Sequence, residues 1–215
     1  MTYLEIVNGV LRRLREDEVT TVTETTYSTM IGDFVNDAKK IVEAAWDWSG
    51  LRSTIVVPTV ADTSTYTLSN TTTKDKTFNV INDTSNVFMQ YRPQEWFDNV
   101  YYNNEPASGS PEYYTFSTND ASGNTQVQVY PKPDGVYSLR FNVAVRNDDL
   151  SANSDTLAIP EAPVLHLTVA LSVRERGETG GTSTAEYFTI ANRYLSDAIA
   201  FDAAKHPEDT IWYTP

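Results

Sequence analysis

Tyr27–Leu51, YSTMIGDFVNDAKKIVEAAWDWSGL, is the stretch around which the rest of the chain must pack. Ile31, Phe34, Val35, Ala38, Ile41, Val42, Ala45 and Trp48 follow the i, i+3, i+4, i+7 spacing of one helical stripe. Asp33, Asn36, Asp37, Lys39, Lys40 and Glu43 fall largely off it. The pattern persists for about seven turns of ~3.6 residues and predicts a long amphipathic helix. Trp46-Asp47-Trp48 closes it, and Ser49-Gly50 follows, where a left-handed glycine would end the helix. Two tryptophans at a helix base, just before a β-rich stretch, predict a structural anchor at Trp46 and Trp48 that joins a helical layer to a sheet. The plainer reading is an ordinary core helix with bulky residues at its base.

On the N-terminal side, residues 2–15 predict a first helix. Thr2 and Glu5 have capping-box spacing, and Ile6, Val7, Val10, Leu11 and Leu14 form its apolar face. Arg12, Arg13 and Arg15 suit its last turn, where cations favour the carbonyl end of the macrodipole. Residues 16–26 (EDEVTTVTETT) are threonine-rich and poor in helix formers, which predicts an extended connector.

On the C-terminal side, from Arg52 to Arg146, the apolar period falls from 3.6 to 2. Short β-branched or aromatic runs at 54–60, 65–68, 77–81, 87–91, 111–116, 125–130 and 137–145 predict strands, punctuated by Asn, Asp, Ser, Gly and Pro. Gln126–Tyr130 and Tyr137–Val143 flank Pro131-Lys132-Pro133-Asp134-Gly135, turn chemistry that predicts a hairpin. Residues 93–100 predict one helical turn with proline at its first position. Beyond Leu157-Ala158-Ile159-Pro160 the helical period returns, with Val164, Leu167, Ala170, Leu171 and Arg174 on one stripe and Gly177 ending it. Ser183 and Glu186 have capping-box spacing before a last helix, whose inward side is predicted as Tyr187, Phe188, Ala191, Tyr194, Leu195, Ala198 and Ile199. Lys205-His206-Pro207 stops that helix.

The fold class is thus α+β, with a four-helix layer built from both chain ends and an inserted antiparallel β domain. The expected divisions are 1–51 and 151–206 for the helices, 52–150 for the β domain, and 207–215 for a C-terminal tail. That tail ends in Ile211-Trp212-Tyr213 after a polar, proline-containing spacer. These three residues either fold back onto the helices or form a docking element.

The totals exclude several functions. With no cysteine among 215 residues, there is no disulfide framework, thiolate metal site or cysteine nucleophile, which fits assembly in a reducing cytoplasm. No run reaches the ~18 apolar residues of a membrane span, and no secretion signal is expected at the N-terminus. A formal net charge of −13, spread along the chain without a basic run, argues against gripping nucleic acid, since phosphate contacts need Lys and Arg.

Nor does any motif point to catalysis. The two histidines, His166 and His206, lie in no metal-binding spacing, and His206 beside Pro207 reads as a helix-end residue. Nucleophile-elbow, phosphate-loop and dinucleotide fingerprints are all missing from the sequence. Asp148-Asp149 and Glu208-Asp209 read as solvated turn residues, because adjacency in sequence does not make a glycosidase pair. No cofactor or metal is expected. Trp96-Phe97, Tyr101-Tyr102 and Tyr113-Tyr114 leave open a rival function, a carbohydrate-binding or receptor-binding module on the β domain.

The ordering of these features resembles the head-to-tail adaptor proteins of tailed bacteriophages, including the tail-tube adaptors of short-tailed phages. The residues that carry the resemblance are Ala44-Ala45-Trp46-Asp47-Trp48, Val57-Pro58, Pro111-Glu112-Tyr113-Tyr114, Val129-Tyr130-Pro131-Lys132-Pro133-Asp134 and Leu157-Ala158-Ile159-Pro160. The resemblance implies a non-enzymatic virion component at the capsid–tail junction, assembled in the host cytoplasm. It also implies a homo-oligomeric ring, usually of twelve copies, beneath the portal protein. Tail proteins of the nozzle or tail tube would bind below, and DNA would pass through without being specifically bound. Members of the family commonly dock on the portal through a C-terminal segment, which by position assigns that role to Ile211, Trp212 and Tyr213.

Overall fold

The computed structural model describes residues 1–69, 71, 75–103, 106–177 and 182–205. These residues form five α-helices and eight strands, a mixed α+β fold. The chain divides into a helical unit, Met1–Gly50 together with the chain from Asn147 onward, and a β unit, Leu51–Arg146.

In the helical unit, α1 (Tyr3–Arg13) starts at the expected capping box. The Glu5 amide donates to the Thr2 hydroxyl, and the Glu5 carboxylate accepts from the Thr2 amide at 2.8 Å. The connector that follows is pinned at two points. Asn8 bonds both the amide and the carbonyl of Val19, and Asn153 accepts from the Val22 amide. A second capping box, Thr25 with Ser28, opens α2 (Thr26–Ala45). α4 (Glu161–Glu175) is buried on most sides, including Val164, Leu165, Thr168, Val169, Ala170 and Val173, and Gly177 follows it at φ +75°. α1 and α2 pack on each other and on α4, and α5 (Thr182–Ala203) also packs on α4.

Two expectations about α2 need correction. Its helical hydrogen bonding stops at Ala45, and Trp46 is extended, so Gly50 is not a left-handed terminator. Gly50 is required for another reason, since a Cβ there would lie 2.0 Å from the Ala158 carbonyl oxygen. The buried face is also rotated from the sequence stripe. It comprises Ser28, Ile31, Gly32, Val35, Ala38, Lys39, Val42 and Glu43, while Ile41 is 50% exposed and Ala45 is open. Gly32 sits on the inner edge where Tyr3 and the connector residue Val22 approach closely, a Cβ there lying 2.5 Å from the Tyr3 hydroxyl oxygen.

In the β unit the strands are β1 (Arg52–Pro58), β2 (Thr65–Thr67), β3 (Lys76–Asn82), β4 (Val87–Phe88), β5 (Gln90–Tyr91), β6 (Tyr113–Asn119), β7 (Thr125–Tyr130) and β8 (Ser138–Ala144), with α3 (Gln94–Asn103) between β5 and β6. They build two four-stranded sheets, ordered β1-β8-β3-β4 and β2-β7-β6-β5. Pairing is antiparallel except for β5 with β6, which is parallel. The predicted run 87–91 switches sheets at Met89, whose amide bonds Val80 while that of Gln90 bonds Glu112.

The hairpin expected between 126–130 and 137–143 does not form, because β7 and β8 belong to different sheets. Val127 and Val129 of one, and Leu139, Phe141 and Val143 of the other, share a single buried core with Tyr66, Leu68, Val80, Met89 and Tyr114. Alternation alone cannot tell two strands side by side from two strands facing each other. The connecting segment is bonded elsewhere, with Lys132 exchanging backbone hydrogen bonds with Ala107 and Gly109 and the Pro133 carbonyl accepting from the Asp62 amide. The helical turn expected at 93–100 is instead the ten-residue helix α3.

Candidate functional site

Chemistry concentrates at the end of α2 and the end of α5. Trp48 is 1% exposed, and its indole N–H donates to the Val42 carbonyl at 2.7 Å. The side chain thereby caps one of the carbonyls that the last helical turn leaves without a partner. Trp46 differs from the anchor expected of both tryptophans. It is 37% exposed, and its indole N–H donates to Asp202 at 3.2 Å.

Asp202, which the sequence reading passed over, is the hub. It is buried, and accepts from the Ser49 amide at 2.9 Å and the Ser49 hydroxyl at 2.7 Å, with Lys205 Nζ 3.2 Å away. Burial alone would raise its pKa, but the Ser49 hydrogen bonds and Lys205 outweigh burial and hold it below its ordinary value. The sequence signal was faint, a lone Asp on the otherwise apolar side of a helix.

Asp202→Ala leaves two Ser49 donors and the Trp46 indole without their acceptor, and should cost about 1–3 kcal/mol of stability. The sign with pH follows from the lowered pKa. The advantage over Asp202→Asn should be complete above the unfolded-state value of ~3.9 and vanish as pH falls through the lower folded value. Urea melts of both proteins across that acid range check this, and an advantage that grows on acidification would contradict the network.

Lys39 is also buried, at 1% exposure, inside the face of α2. Its ammonium donates to the carbonyls of Asn147 at 2.6 Å and Asp148 at 2.9 Å, and lies 3.2 Å from Glu43. It thus fixes the point where the chain returns to the helical unit. Asp148 and Asp149 read as turn residues in sequence, and Asp149 indeed pairs with exposed Lys40 at the surface.

The aromatic residues of the β unit mostly spend their faces on one another. Trp96 meets Phe97, Tyr113 and Tyr130, and Tyr101 packs on Phe97 and Tyr130, with centroids 5.1–6.2 Å apart. The Arg92 guanidinium lies over Trp96 and Tyr113. Burial pushes the Tyr101 phenol up to about 12, and its hydroxyl donates to the Val129 carbonyl. This cluster fastens α3 to β6 and β7, leaving little ring face for a sugar. Tyr102, at 84% exposure, is the exception on α3.

The last helix departs most from expectation. Of the seven residues predicted inward, Ala191 is buried, Phe188, Leu195, Ala198 and Ile199 are half-buried, and Tyr187 and Tyr194 are exposed. Ile190 and Phe201 are exposed as well. Tyr194 stacks face to face on His166 of α4, with centroids 4.1 Å apart and planes 6° off parallel. Burial, aided by Arg13, lowers the His166 pKa and favours its neutral ring.

The tail residues Ile211, Trp212 and Tyr213, with His206, lie outside the described residues. Among the described residues no cluster of three metal-ligating side chains occurs, and no helix is long and apolar enough to cross a membrane. No curated protein matches the sequence. The sequence model of the SU10 adaptor protein family matches residues 1–210. That match bears out the resemblance to phage head-to-tail adaptors drawn from 44–48, 111–114 and 129–134, and the chain belongs to the SU10 adaptor protein family.

Proposed function

We propose that the protein is a structural head-to-tail adaptor of a phage virion, forming a ring beneath the portal that extends the DNA channel and attaches the tail. The observation that carries this reading is the family match over 210 residues, to an adaptor family that is structural and not enzymatic. A helical unit made from both chain ends supports it, because a β unit inserted between helices can vary without disturbing the surfaces those helices present. Portal and tail proteins are the partners, twelve is the copy number taken from the resemblance, and the capsid–tail junction is the location. The net charge of −13 suits a conduit that DNA must traverse without being held.

Residues 207–215 are the portal-docking segment in this reading, with Ile211, Trp212 and Tyr213 as its apolar contacts. Burying three such side chains yields several kcal/mol at ~25 cal/mol per Å². Ordering about nine residues at ~1–2 kcal/mol each offsets most of it. One arm therefore binds weakly, and a ring of arms binds well through effective concentration. The test is particle imaging of the purified chain with and without its portal, for the full chain and for one lacking 207–215. The full chain should form closed rings on the portal that do not retain duplex DNA, and the truncated chain should melt normally yet fail to stay bound. Absence of rings with the full chain overturns the reading. A truncated chain that melts many degrees lower overturns the docking role of the tail alone.

A further inference from the structure

A ring requires two different surfaces on each copy, one to give and one to receive, because a contact made by the same patch on both partners closes as a dimer. The helical unit carries two such surfaces. At ~100° per residue, Tyr187, Ile190, Tyr194 and Phe201 form one stripe along α5, roughly 90° around the helix from Ala191, Leu195 and Asp202 on its more buried side, although Tyr194 also stacks on His166 of α4. All four are exposed, Phe201 at 77%. On α2, Met30, Phe34, Ile41 and Ala45 form a second stripe beside the buried face, with Ile41 and Ala45 open and Met30 and Phe34 half-buried. Both helices pack on α4, the helix buried on most sides, and each keeps an apolar edge that is largely exposed among the described residues.

Shape and charge pair the two edges. A surface hollow of about 270 Å³ lies in the middle of the α5 stripe, lined by Ile190, Arg193, Tyr194 and Asp197. Its size is several times the ~30 Å³ share of one water, the scale of an inserted side chain. The His166 stack holds Tyr194 in place before any partner arrives, which lowers the cost of ordering on binding. Arg193 is the only cation on α5 from Thr182 to Ala203, and Asp33 and Asp37 flank the α2 stripe. Neither Arg193 nor Asp37 forms an ion pair among the described residues. The missing apolar position between Phe34 and Ile41 is occupied by that Asp37.

We infer that the α5 stripe of one copy docks against the α2 stripe of a second copy, with Phe34 or Ile41 in the α5 hollow and Arg193 facing Asp37. The inference rests on the ring reading and names the surfaces that join its subunits. One helix edge is small beside the ~800 Å² per partner of a standard interface. Each contact is weak alone and becomes stable when every copy is held on both sides.

The chain contains no cysteine, so introduced thiols report without background. Ile41→Cys combined with Ile190→Cys, and separately with Tyr194→Cys, is oxidised in the full chain in the presence of its portal and run without reductant. A ladder of dimers, trimers and higher species should appear for a double variant, while each single variant stays monomeric. Thermal melting of the singles confirms that both positions tolerate the change. Dimers from Ile190→Cys or Tyr194→Cys alone would mean that α5 pairs with itself, which overturns the inference. No ladder, with rings still visible on the portal, removes this interface and leaves the ring reading standing. No ladder and no rings removes both.

Discussion

Trp48→Ala is expected to destabilise the helical unit by about 3–5 kcal/mol, the range for truncating a large buried aromatic. Trp46→Ala, two residues away in the same motif, should cost under about 1 kcal/mol, as exposed substitutions do. The difference is environment. Trp48 is 1% exposed and Trp46 37% exposed, so truncation opens a cavity at one site, and at the other removes surface contact and one donor of Asp202, which keeps Ser49 and Lys205. Trp48→Phe separates the two parts of the Trp48 role. It keeps most of the packing but withdraws the indole donor from the Val42 carbonyl, and should cost about 1–3 kcal/mol for that group alone. Urea unfolding followed by far-UV circular dichroism is the suitable readout, because helix content survives removal of a fluorophore. A loss under about 1 kcal/mol for Trp48→Ala would end its role as an anchor.

That pair of tryptophans shows how far the sequence could be read. The motif at Trp46-Asp47-Trp48 announced bulky residues at a helix base, and the period change at Arg52 announced the strands, because both signals are local. Capping boxes at Thr2 and the strand runs of the β unit were legible for the same reason. Most failures concern which neighbour a face meets. β7 and β8 alternate well enough for a hairpin, yet they face each other across a core. α2 carries an apolar arc wider than one stripe, so the position of its buried face depended on Gly32 and Ser28 admitting close neighbours. α5 has apolar residues on more than one side, and among them Ala191 is buried while Ile190 and Phe201 stay exposed. Asp202 was invisible because its meaning comes from Ser49 and Trp46, more than 150 positions away in sequence. Through Asp202, Trp46 and Ser49 tie the end of α2 to α5.

Lys39→Met is the substitution expected to be as damaging as Trp48→Ala, and it tests whether the α2 face is set by charge or by volume. Methionine matches the aliphatic stem of lysine, so packing is largely preserved. The ammonium, however, holds the carbonyls of Asn147 and Asp148 and lies 3.2 Å from Glu43 in a site where both side chains are 1% exposed. Removing one member of a buried ion pair costs about 3–5 kcal/mol, because the remaining charge loses its counter-ion in a site shielded from water. Two carbonyls lose their donor at the same time. Glu43→Gln removes the other charge, and Lys39 keeps its carbonyl partners, so this change should be milder. The double variant Lys39→Met with Glu43→Gln then distinguishes the sources. If the Lys39–Glu43 pair dominates, the double variant recovers part of the loss, with a coupling of about 1–3 kcal/mol between the two sites. The part not recovered belongs to the Asn147 and Asp148 carbonyls, and so measures how firmly Lys39 fixes the returning chain. Strict additivity of the two single effects would show that Lys39 and Glu43 are not energetically paired, and that the clamp on residues 147 and 148 carries the whole cost.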